Sequence, residues 1–314
     1  MVTRMTWPFR QAQVLRALRA HRLLDAEQLR QIVFRRVSRR SCQRCLTTLH
    51  RRGLVVRAQP SRGGFGGGSD SYVYGLSPMG ARVLSAIDDI DPAAIPQIRD
   101  PATFTPQRAQ HQLAVNRCFI ALWHALEATA GHRLVGWQSD PHLRLRYRAG
   151  TRWQVVHPDG LAQIGSPMGD RWLFFEIDRG TAELRRYAAK ARRYARYWQS
   201  GDWRATWPHF PEVRVVTSRQ SRCARLLDAV EDGVRRLTDL DSHTVGRALR
   251  LAVAWERDFL ADPLGPVWDL AFGEPAIRAN VVRDPMVAPT LDDRDDHDWG
   301  PVNPDRDGTA GYDS

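Results

Sequence analysis

Cysteine is scarce in this chain of 314 residues: Cys42, Cys45, Cys118 and Cys223 are all it has. They are too few and too scattered for a disulfide framework. Cys42 and Cys45 have the spacing of half a zinc site, but no second pair follows and only His50 lies near. On a helix the two share a face, which reads as packed core cysteines. Long apolar runs are also missing. The stretch from Trp172 to Phe175 is far too short to cross a bilayer, and the opening MVTRMTWPFRQAQ holds no apolar stretch of signal-peptide length. A cytoplasmic location is expected. The glycine-rich tract SRGGFGGGSD lacks the Gly-Lys-Ser/Thr ending of a phosphate loop, which sets an ATPase aside. No nucleophilic tyrosine stands beside a histidine cluster, which sets aside a relaxase of that kind.

What the chain does have is positive charge. Its 46 lysines and arginines against 35 acids give a net +11. The excess is uneven: residues 281–314 hold nine acids and three arginines, which leaves +17 on residues 1–280. A body this basic points to a polyanion, and double-stranded DNA is the first candidate. Arginine far outnumbers lysine throughout, so a compositional bias would give the same sign. With 43% apolar residues, the length suits two modest domains with cores of their own.

Residues 8–87 read as a winged helix-turn-helix. Apolar spacing predicts helices over residues 11–20, after an Asp25 cap, and from Ser38 or Ser41 to Arg52, where Gly53 stops the third. Short extended runs at residues 54–57 and 71–76 flank the glycine-rich tract, and Ser77-Pro78 opens another helix. In this arrangement the third helix enters the major groove. It carries Arg39, Arg40, Arg44, Arg51 and Arg52, and Arg57 and Arg62 on the ribbon are placed to reach the adjacent backbone. A winged helix used for protein contacts, with these arginines solvated, is the alternative.

Residues 88–107, rich in proline, read as a linker. Residues 108–270 predict an α-β-β-β-α-β order with helical additions. Its helices are expected at residues 108–130, 182–199 and 221–237, and its strands at residues 133–137, 153–157, 171–177 and 212–217. The acidic stretch 281–314 reads as disordered, with a DNA-mimicking role as the weaker alternative. Asp159 ends the second strand, and Glu176 and Asp178 end the third on one face. If the two strands pair, Asp159 and Glu176 lie within reach of one Mg²⁺, which would activate water against a phosphate. Lys190 shares a helix face with Tyr187 and Tyr194. It either orients the water and stabilises the phosphate or snorkels, with its stem packed and its ammonium in water.

His157-Pro158-Asp159-Gly160, Glu176-Ile177-Asp178-Arg179-Gly180-Thr181, Lys190 and Tyr194 together resemble the replication-relaxation family of plasmids and integrative elements. The strings beginning at His111, Trp137 and Tyr74 fit as well, and the resemblance covers roughly residues 8–270. It implies an α+β protein with a winged helix and a restriction-endonuclease-like domain of the PD-(D/E)xK kind, with Asp159 and Glu176 as metal acids. It also implies a role in replication, relaxation or mobilisation of mobile DNA, with other plasmid replication or transfer proteins as partners. The triplet ends in Asp178 where a nuclease has lysine, and Lys190 on the following helix would replace it. Whether the chain nicks DNA with Asp159, Glu176, Asp178 and Lys190 as catalytic residues, or is a non-catalytic binding factor or transcriptional regulator, stays open on these residues.

Overall fold

The computed structural model describes residues 8–59, 72–98, 105–139, 143–273 and 278–279. The chain is a mixed α+β protein that divides into two compact units, residues 1–120 and 121–314. Arg62, the glycine-rich tract and the acidic stretch 281–314 lie outside the described residues. Among the described residues no helix is long and apolar enough to cross a membrane.

The first unit begins with α1 (Phe9–His21), β1 (Leu24–Asp25), α2 (Ala26–Val33) and α3 (Arg39–Arg51). It continues through β2 (Val55–Ala58), β3 (Val73–Leu76) and α4 (Pro78–Asp88). Polar caps mark the helix starts. The Asp25 carboxylate accepts from the Gln28 backbone N–H at 2.7 Å, and the Gln28 side chain returns to the Asp25 N–H. Of the two serines that could start α3, Ser38 is the cap. Ser77 caps α4 through the Gly80 N–H, with Pro78 in the first turn. The three strands run antiparallel in the order β1-β3-β2, and β1 is too short to have been visible as a strand in the sequence. Leu15, Leu18, Leu29, Phe34, Leu46 and Leu49 fill the core beneath them. Cys42 is buried there and Cys45 half-buried. The stretch expected to be a linker contributes to this core too: after a 3₁₀ turn at Pro92–Ala94, Ile95 is buried in it.

The division between the units falls within α5 (Pro106–Glu127). The second unit continues with β4 (Arg133–Ser139), β5 (Leu145–Ala149), β6 (Arg152–Val156), β7 (Gly160–Gly165) and β8 (Arg171–Asp178). Then come α6 (Leu184–Ser200), β9 (Glu212–Thr217), α7 (Cys223–Arg235), α8 (Ser242–Leu249) and β10 (Ala252–Trp255). The described part closes with α9 (Glu256–Ala261), β11 (Trp268–Leu270) and β12 (Arg278–Ala279). Seven strands form one sheet in the order β12-β11-β10-β9-β8-β7-β4, parallel at β8-β9 and β9-β10 and antiparallel elsewhere.

This corrects the expected order. The strand expected at residues 153–157 is absent from the main sheet; as β6 it pairs only with β5, in a hairpin of its own. The strand that pairs with β8 is β7, whose sequence GLAQIG has glycine at both ends and no period-two alternation. Gly160 is needed there: a β-carbon would meet the Trp137 ring at 2.9 Å. On one side of the sheet α6 and α7 pack over Phe174, Val213 and Val215. On the other, Phe175 meets Trp137, Phe259 and Trp268.

Candidate functional site

Strand β8 lies between β7 and β9, so its even- and odd-numbered side chains are buried on opposite faces. Phe174 stacks on Tyr194 of α6, and two residues on Glu176 faces the same helix. Asp159 precedes β7 but stays in register with β8: its backbone N–H donates to the Phe175 carbonyl at 2.9 Å. Its carboxylate then turns back and accepts from the Ile177 N–H at 2.7 Å. Pairing of neighbouring strands thus brings Asp159 and Glu176 together, although through a strand the sequence did not reveal.

Lys190 completes the group. Its ammonium donates to Glu176 Oε2 and lies 3.9 Å from Asp159 Oδ1. The Tyr194 hydroxyl donates to Glu176 Oε1 at 2.8 Å. Burial pushes the Glu176 carboxyl up to about 7, against the pull of Lys190; Asp159 adds to the rise. Burial opposes the charge of Lys190, but Glu176 and Asp159 raise its affinity for the proton above the ordinary value. Lys190 is the only lysine among the chain's 46 basic residues. In a chain that otherwise uses arginine everywhere, the one compact ammonium stands on the buried carboxylate pair.

Asp178 has donors of its own. Its carboxylate accepts from Arg222 Nε at 2.7 Å, the Thr217 hydroxyl at 2.8 Å and the Gly180 N–H at 3.1 Å. It ties the end of β8 to β9 and to the turn before α7. Arg222 had no signal in the sequence, since an ion pair between residues this far apart leaves no periodic trace. Tyr187 and Tyr194 were readable only as an apolar stripe. Their hydroxyls are part of the carboxylate network, and burial raises both above the ordinary tyrosine value.

In the first unit, Arg40, Arg44 and Arg51 fall on one exposed stripe of α3 with Thr47 between them, opposite the buried Cys42, Leu46 and Leu49. Arg39 reaches Glu27 at 3.4 Å and Arg52 reaches the Gln11 side chain at 3.3 Å. Arg57 on β2 lies over the Tyr72 ring, 4.3 Å from its centroid.

The sequence model of the replication-relaxation family matches residues 15–213. The chain belongs to the replication-relaxation family. The match begins within α1, runs through the rest of the first unit, and in the second reaches Asp159, Glu176 and Lys190 before ending within β9. Membership in the replication-relaxation family points to a role in replication or relaxation of plasmid or other mobile-element DNA. No curated protein and no solved structure matches the chain.

Proposed function

We propose that the protein binds duplex DNA through its first unit, in the service of replication, relaxation or mobilisation of a plasmid or integrative element. On this reading the first unit is a winged helix, α3 enters the major groove, and Arg57 and Arg62 meet the flanking phosphates. The observation that carries the proposal is the stripe of Arg40, Arg44 and Arg51, exposed together on the helix that this arrangement docks. Arg39 and Arg52, exposed at the two ends of α3 and off the stripe, would meet phosphates. Other plasmid replication or transfer proteins are the proposed partners. Fluorescence anisotropy of the full chain on a labelled duplex, across a salt series, is the test. The variant R40A/R44A should bind more weakly, with a log–log salt slope shallower by about 2. Unchanged affinity and slope would overturn the assignment.

A second reading has one observation in its favour: the sole lysine converges on Asp159 and Glu176. It makes the second unit a PD-(D/E)xK-like core that nicks DNA with Mg²⁺, with Asp159 and Glu176 holding the ion and Lys190 at the phosphate. The ion would supply charge neutralisation at the phosphate and an activated water. The donor set fits it only in part. Both Glu176 oxygens are taken, one by Tyr194 and one by Lys190, and among the described residues no third His, Cys, Asp or Glu joins the pair. Mg²⁺ favours six oxygens in near-octahedral array, so Lys190 must leave Glu176 before the pair can serve. As the side chains stand, Lys190 occupies the carboxylate pair, which suits a DNA-binding body without catalysis. Nicking of supercoiled plasmid in Mg²⁺ or Mn²⁺, abolished by Asp159→Ala and by Lys190→Ala, would establish the second reading. Intact plasmid in both metals, with DNA binding retained, would exclude it.

A further inference from the structure

The β5-β6 hairpin stands outside the main sheet and has a face of its own. Tyr147 points inward, buried against Tyr197 of α6 with ring centroids 5.6 Å apart. That anchor fixes the outward face, because neighbouring residues of a strand alternate. Arg144, Arg146 and Arg148 are exposed on it, about 7 Å from one to the next at strand spacing. Directly opposite Arg148 in the register is Trp153, which is 56% exposed, an unusual state for the largest apolar side chain. Two guanidiniums lie near the indole, Arg146 at 5.0 Å and Arg148 at 5.8 Å from a ring centroid. Residues 143–157 contain no acid. The Asp202 carboxylate is engaged with the Arg148 backbone N–H at 2.7 Å. Beside the turn an open cleft of about 490 Å³ is lined by Arg148 and Arg196.

We infer that this hairpin is a second nucleic-acid contact, and that its ligand is single-stranded DNA. A row of arginines matches a phosphate backbone. An indole that is 56% exposed beside a row of arginines offers π-surface, and unpaired bases can stack on such a surface whereas paired bases present only their edges. The hairpin belongs to the second unit and the α3 stripe to the first, and the inference does not depend on that stripe binding duplex.

The experiment uses the full chain with two labelled probes, oligo-dT and a blunt duplex, followed by anisotropy. Trp153→Ala should weaken oligo-dT binding about tenfold and leave duplex binding unchanged, while Trp153→Phe keeps most of the affinity. The variant R146A/R148A should make the oligo-dT salt slope shallower by about 1.4. R40A/R44A should do the reverse, weakening duplex and sparing oligo-dT, so that failure of one assignment is told from failure of the other. Oligo-dT affinity unchanged in both hairpin variants would overturn the inference. So would a Trp153→Ala loss as large on duplex as on the single strand. All three side chains are exposed, and an unchanged circular dichroism spectrum separates lost binding from lost folding.

Discussion

Glu176 is buried to 1% exposure in the middle of a sheet, and its two oxygens have one donor each, Lys190 and Tyr194. Removing Lys190 leaves that carboxyl in apolar surroundings with half its donors. Lys190→Met should therefore destabilise the protein by about 2 kcal/mol, below the usual figure for a fully buried pair because the lysine is 31% exposed. Adding Glu176→Gln should restore part of the loss, since a neutral amide does not need the ammonium, and a urea-unfolding double-mutant cycle measures the coupling. Lys190→Arg should not rescue the site: a planar fork replaces a point charge in a space shaped by Asp159 and Tyr194. At this scale the sequence was informative about which residues converge and uninformative about their partners. Asp159, Glu176 and Lys190 were nameable from strand ends and helix spacing. The attachment of Asp178 to Arg222 was not, because it depends on a turn contact between distant segments.

Helix α6 carries both Lys190 and Tyr194, and its position is set by how closely α7 approaches. Gly233 of α7 makes that approach possible: a β-carbon there would lie 2.3 Å from the Ala188 carbonyl oxygen. Gly233→Ala sets two effects against each other. Alanine's better helix propensity is worth about 1 kcal/mol, whereas forcing two packed helices apart costs about 1–3 kcal/mol. The clash is with backbone, which cannot rotate away, so a net destabilisation in thermal unfolding is expected; a raised melting temperature would refute it. The helices were the legible elements. Those of the first unit and α6 lie close to the spans that caps and apolar spacing predict. The strands were less so. Buried on both faces, β7 has no alternation to read, and β5 with β6 looks like sheet sequence without revealing that it stands apart.

Across the whole molecule, two buried titratable groups in different units respond to pH in opposite senses. His21 is buried beside Phe119, and burial lowers its imidazole to about 4, with Asn116 opposing. The unfolded imidazole takes its proton near the ordinary value of 6.5. Above that pH both states are neutral; as the pH falls toward 4 the unfolded state gains protons that the folded state refuses, and stability is lost. For a shift of this size the loss is on the order of 3 kcal/mol. Glu176 behaves the other way. Unfolded it ionises near 4.5, folded near 7, so stability is highest at acid pH and declines as the pH rises between those values. Between pH 4.5 and 6.5, hydrogen exchange should therefore show α1 losing protection on acidification and β8 gaining it. His21→Leu should flatten the first response and Glu176→Gln the second; parallel responses in both units would refute the assignment.

The solitary lysine has a practical consequence. Apart from an α-amino group, the protein offers amine-directed reagents a single address, and that address lies against Glu176. Reductive methylation with ¹³C-formaldehyde would therefore place one NMR label at the carboxylate pair. Its chemical shift would report directly whether nucleic acid or a divalent cation draws the ammonium away, with no signal from the arginine-rich surface to subtract.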